Sequence, residues 1–164
     1  MGLFTPAFDK FSSQAFKLPV DEYELQIGVI KTRTVDIKNG ERAGQKMHML
    51  SIPFKVISTT SGDTEHANRT ITIDFIVNTD QEDGFNRVLK VAMAANGIIP
   101  GTEDADREFI SRFGNEDWSV DFDENKLGTA WSMLNQKRIV SNVAIGGKAG
   151  YERNEFKGNP RPIS

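Results

Sequence analysis

The sequence has no cysteine. That excludes a disulfide framework, a thiol nucleophile, an iron–sulfur cluster and every cysteine zinc site. Histidine is scarce, with only His48 and His66. Together with Asp74 they fit no metal-ligand spacing, so structural roles are expected for both. No apolar run approaches the roughly 18 residues of a membrane span, and the N-terminal stretch lacks a basic leader region. Gly2 suggests N-myristoylation, but Pro6 stands where that motif wants Ser or Thr. A soluble, intracellular chain is expected. A phosphate loop is missing too: around Gly146-Gly147-Lys148 it would need Gly at 142 and Ser or Thr at 149, where Asn142 and Ala149 stand. Carboxylates are plentiful, yet most fall at helix starts or in loops, and no acid–base pair can be named. The expectation is therefore a protein that is not an enzyme and uses no metal or cofactor.

What is present is 164 residues, 38% hydrophobic and 26% charged, enough for one core. The net charge of −3 is unevenly spread. Residues 1–61 carry eight basic and six acidic side chains, residues 62–125 five and fifteen, and residues 126–164 seven and two. Both ends are basic around an acidic middle, which by itself is ordinarily a solvated face.

The order of periodicities suggests an architecture. An arm over 1–19 carries Phe4, Phe8, Phe11 and Phe16 between Pro6 and Pro19, and either folds back or docks on a partner. Residues 22–38 alternate with Tyr23, Leu25, Ile27 and Val29 on one face, and the phase change near Gly28 predicts a bend. A basic hairpin loop with Asn39-Gly40 leads to a second strand over 47–58, with Leu50, Ile52, Phe54 and Val56 inward. Pro53 implies a sheet edge or an irregularity there. A third strand over 69–77 points Ile71, Ile73, Phe75 and Val77 inward.

The period then becomes helical. Asp80 or a neighbour caps a helix with Phe85, Val88, Leu89, Ala92 and Met93 on one stripe, ended by Asn96-Gly97 and Pro100. A second helix over 103–113 is capped by Thr102 and stopped by Gly114. Residues 118–136 read ambiguously, as a short strand near Trp118 and a helical turn near Trp131. A strand over 137–145, with Ile139, Ser141, Val143 and Ile145 inward, precedes a glycine-rich turn and a last strand over 151–156. Three strands, helix, two strands is the order of a five-stranded OB-fold-like Greek-key barrel. The expected division is arm 1–19, binding domain 20–158 and flexible tail 159–164.

In such a barrel, ligands cross the outer faces of strands 2 and 3, between the loops joining strands 1–2 and 4–5. Those loops supply Lys38, Arg42, Lys46 and Lys148, followed by Tyr151, Arg153 and Lys157, while Lys31, Arg33, Lys55 and Arg138 lie on adjoining strands. A positive groove with rings for base stacking suits single-stranded nucleic acid, and Tyr151 and Phe156 are the expected stacking rings.

Two stretches carry a family resemblance: Leu18-Pro19-Val20-Asp21-Glu22-Tyr23-Glu24-Leu25-Gln26-Ile27 and Tyr151-Glu152-Arg153-Asn154-Glu155-Phe156-Lys157-Gly158. With the helix over 85–95 between them, residues 18–158 resemble the OB-fold single-stranded DNA-binding proteins of bacteriophages and prophages. The resemblance implies sequence-tolerant binding of single strands in phage DNA replication, recombination or repair, without catalysis, in the host bacterial cytoplasm. Single-stranded DNA is the implied partner, RNA stays open, and phage or host replication and recombination proteins are the implied protein partners. Residues 97–125 look longer and more acidic than the family leads one to expect. The chain ends in Arg161-Pro162-Ile163-Ser164 rather than in an acidic, phenylalanine-tipped tail. The alternative is a phage structural or assembly protein that oligomerises through its phenylalanine arm. DNA against RNA, site size, cooperativity and oligomeric state are not set by the sequence.

Overall fold

The computed structural model describes residues 3, 16–77, 82–147, 149–150 and 152–163. Phe4, Phe8, Phe11 and the expected cap Asp80 lie outside them.

The expected long first strand forms in two halves, β1 (Asp21–Ile27) and β2 (Lys31–Asp36), and both pair antiparallel with one long strand, β3 (Lys46–Thr59). The bend between the halves falls at Gly28, for a local reason. The Gly28 amide donates to the Pro53 carbonyl at 2.8 Å, and a Cβ at Gly28 would lie 2.9 Å from the proline ring. Only a residue without a side chain fits so close to another backbone. The same contact explains how Pro53 sits in a central strand. Within a strand, the amide and carbonyl positions of one residue face the same neighbour, so the missing proline donor points into the gap between β1 and β2.

On its other edge β3 pairs with β4 (Thr70–Ile76), and β1 continues the sheet to β7 (Arg138–Gly146), which pairs with β8 (Arg153–Arg161). The inward residues expected on β1, β3 and β4 are buried, with Leu25, Leu50, Ile52 and Phe54 at 0% exposure, but Val29, expected on the same face as Leu25, is exposed, because the bend between β1 and β2 turns Ile30 into the core in its place. On β7, Ile139, Ser141 and Val143 are buried, but Ile145 is exposed, because the strand has by then run past the core.

Two helices follow β4. The first, α1 (Glu82–Ala95), packs Val88, Val91, Ala92 and Met93 into the core, and Gly97 behind it adopts a left-handed φ of 81°. The second, α2 (Glu103–Phe113), begins as its sequence suggests: the Thr102 side chain accepts from the Ala105 amide at 3.1 Å, and Gly114 ends it. The ambiguous stretch is a small hairpin, β5 (Val120–Asp121) and β6 (Lys126–Leu127), followed by a single helical turn, α3 (Thr129–Ser132). Both indole N–H groups find carbonyls, Trp118 to Phe113 at 2.8 Å and Trp131 to Trp118 at 3.0 Å, so the rings are held without an orphaned donor. Phe122 stacks on His48 at 4.7 Å, and Asn125 bonds Thr32 across to β2. The hairpin that ends the acidic segment thus lies on the inner side of the sheet near β2 and β3.

Two expectations are corrected. The barrel does not close: the sheet is antiparallel and open between β4 and β8, which approach without pairing. The reason lies in β8, whose register on β7 slips between Val140 and Asn142, with Gly158 at φ 75° and Pro160 lacking an amide. A bulged edge of this kind cannot present a regular row of donors. Side chains span the seam instead, with Phe156 packed 4.9 Å from Phe54 and 6.3 Å from Phe75. The second correction is the tail. β8 runs to Arg161, which pairs opposite Val140 and reaches Glu22 at 2.6 Å, and Pro160 is buried.

The end of the arm returns to its own sheet. Leu18 is fully buried, and Asn154 clamps it from β8, accepting from its amide at 2.8 Å and donating to its carbonyl at 2.9 Å. Phe16 lies under the Arg69 guanidinium at 4.4 Å.

Candidate nucleic-acid interface

Residues directly opposite in an antiparallel pair share a sheet face, about 5 Å apart. The register therefore assembles the outer face row by row. One row is Lys31, Ser51 and Asp74; another is Arg138, Gln26, Lys55 and Thr70, crossing four strands. Pro53 and Thr72 lie between them. Lys31, Arg33, Lys55, Thr70, Thr72 and Arg138 are all exposed, so this face is polar and open.

Its charges are partly spent internally. Arg33 donates to Asp74 at 3.0 Å across β3, and Ser51 bonds the other oxygen of the same carboxylate. Arg138 meets Glu24 at 3.3 Å. Lys31 and Lys55 have no carboxylate partner among the described residues. They are the cations this face leaves for an incoming anion.

The loop between β2 and β3 is closed by two backbone bonds, Ile37 to Gln45 and Gly44 to Ile37, both 2.9 Å. Gly40 and Gly44, at φ 87° and 88°, make its turns, and Lys38 and Arg42 are exposed on it, as is Lys46 at the start of β3. Lys148 and Tyr151 lie outside the described residues. Arg153 and Lys157 fall on the outer face of β8, opposite Gly146 and Asn142.

Phe156 is a correction. It opposes the buried Val143 and packs on Phe54 and Phe75, so it belongs to the inner side, half-buried at the seam between β4 and β8, and not to the outer face. The signal was legible: Arg153, Glu155 and Lys157 take the outward parity, which leaves Asn154 and Phe156 inward. Ser51 and Asp74 were missed as members of the site. Parity alone places Asp74 outward, but only the register puts it beside Arg33.

The displaced titrations lie elsewhere. Burial first, then the nearby Asp21, Asp63 and Glu65 carboxylates, raise the Tyr23 phenol above its ordinary 10.0. Bonds from the Ser119 hydroxyl and amide, at 2.6 and 3.0 Å, hold the exposed Asp117 carboxyl below its usual range. Among the described residues no three His, Asp or Glu side chains gather as a metal ion would need, and no helix is long and apolar enough to cross a membrane. In comparisons with known proteins, the chain matches no family model and no curated protein.

Proposed function

We propose that the chain binds single-stranded DNA with little sequence preference, using the outer face of β2, β3 and β4 in the manner of an OB-fold. The pairing of β1 with both β3 and β7, and the placement of α1 between β4 and β7 in the chain, support that use of the sheet. The observation that carries the proposal is the exposed outer face, on which Lys31 and Lys55 stand free of carboxylates beside exposed hydroxyl side chains. Phosphates are held by such cations regardless of base sequence, and hydroxyls can donate to the same oxygens. Binding of this kind protects and presents single strands without catalysis. Phage replication, recombination or repair in a host bacterial cytoplasm is the setting proposed, with replication and recombination proteins as partners.

The test is fluorescence anisotropy with labelled oligo-dT, its duplex counterpart and oligo-rU. Binding of oligo-dT should exceed binding of the duplex and weaken steeply with salt. The Lys31→Ala/Lys55→Ala double variant should lower the logarithmic salt slope by about 1.4, or roughly 0.7 for each phosphate that is no longer neutralised. No preference for single strands at low salt would overturn the proposal.

A further inference from the structure

The seam where β4 and β8 fail to pair is not filled. It holds a cleft of about 460 Å³ walled by β4, β8 and α1, a size typical of small-ligand sites. Three cations line it: Arg87 and Lys90 from α1, and Arg153 from β8. Arg87 stands 5.9 Å from the centre of the Phe75 ring, and among the described residues none of the three cations is ion-paired. The two carboxylates at the cleft are engaged or turned aside. Asp74 is taken by Arg33 and Ser51, and Glu155 lies over Gly146 of β7.

The cleft is continuous with the outer face, because Thr72 and Asp74 belong to both. An anionic chain lying on that face and moving off the β4 edge meets Arg87 and Lys90 next. We infer, on the basis of the proposed function, that the β4–β8 cleft is a second phosphate-binding stretch, in which Arg87, Lys90 and Arg153 hold the backbone of the same single strand. An extended peptide suits the cleft less well. The β8 edge it would need as a pairing template bulges at Gly158 and lacks a donor at Pro160.

The test compares wild type, Arg87→Gln/Lys90→Gln and Lys31→Ala/Lys55→Ala on labelled oligo-dT and a labelled hexaglutamate peptide over a salt series. Circular dichroism melts check that each variant is folded, and Arg87→Lys retains the charge if the Phe75 contact proves structural. The expected result for Arg87→Gln/Lys90→Gln is a loss of about 25-fold in affinity near 0.1 M salt and a salt slope lower by about 1.4, with Arg87→Lys close to wild type. A folded Arg87→Gln/Lys90→Gln that binds oligo-dT like wild type overturns the inference while leaving the proposed function standing. So does a variant that loses only the peptide. A wild type that binds no oligo-dT overturns the proposed function itself, and the inference with it.

Discussion

Replacing Asp74 with Asn should tighten DNA binding rather than weaken it. Asp74 sits on the proposed contact face, where it neutralises Arg33 at 3.0 Å and accepts from Ser51. Asparagine keeps a carbonyl oxygen as hydrogen-bond acceptor but removes the charge, so Arg33 becomes available to a phosphate. One more phosphate contact steepens the salt slope by about 0.7, which amounts to about fivefold in affinity near 0.1 M salt and under about twofold near 0.5 M, relative to a 1 M reference. The stability cost should be small, since an ion pair with Arg33 this exposed contributes about 0.2–1 kcal/mol. The assay is anisotropy of labelled oligo-dT across a salt series, with Arg33→Ala and the double variant completing a cycle. Arg33→Ala should weaken binding, because it leaves the Asp74 charge bare on the face, and the double variant should return near wild type. A folded Asp74→Asn protein with unchanged or weaker affinity at low salt would refute the placement of the strand on this face.

Three further outcomes concern the fold. Asn154→Ala leaves the buried Leu18 amide and carbonyl unpaired and should cost about 2–4 kcal/mol, read as a lower urea midpoint with unchanged slope; a change under about 0.5 kcal/mol would mean the clamp is not formed. Gly28→Ala drives a methyl into the Pro53 ring and carbonyl and should destabilise by about 1–3 kcal/mol, whereas a neutral result would place the bend elsewhere. Tyr23 binds a proton more tightly folded than unfolded, so its contribution is complete below the ordinary value of 10.0 and is lost as pH rises through the higher folded value. Tyr23→Phe should therefore flatten the alkaline decline in melting temperature, at the loss of the 2.8 Å bond to the Pro19 carbonyl. An equally steep decline in the variant would assign it to other groups.

Much of this was legible in the chain. Period-two alternation located β1, β3 and β4 and their buried residues, and Thr102 and Gly114 marked both ends of α2, because these signals act over a few residues. The candidate face was half legible. Parity turned Lys31, Lys55 and Asp74 outward, but it could not show which cations are already paired. Phe156 has the ring that stacking needs, but its parity turns it to the inner side, against Phe54 and Phe75.

By itself, then, the sequence determined a chain without thiols and with only two histidines, a set of alternating strands, and the place of the bend at Gly28. These follow from residue types and from contacts between neighbours along the chain. Tertiary structure alone decided that Arg33 is spent on Asp74, that β8 extends to Arg161 and clamps Leu18 through Asn154, and that the sheet stays open beside Arg87 and Lys90. Each of these depends on strand register and on side chains meeting across distant parts of the chain, which a local pattern of polar and apolar residues does not specify.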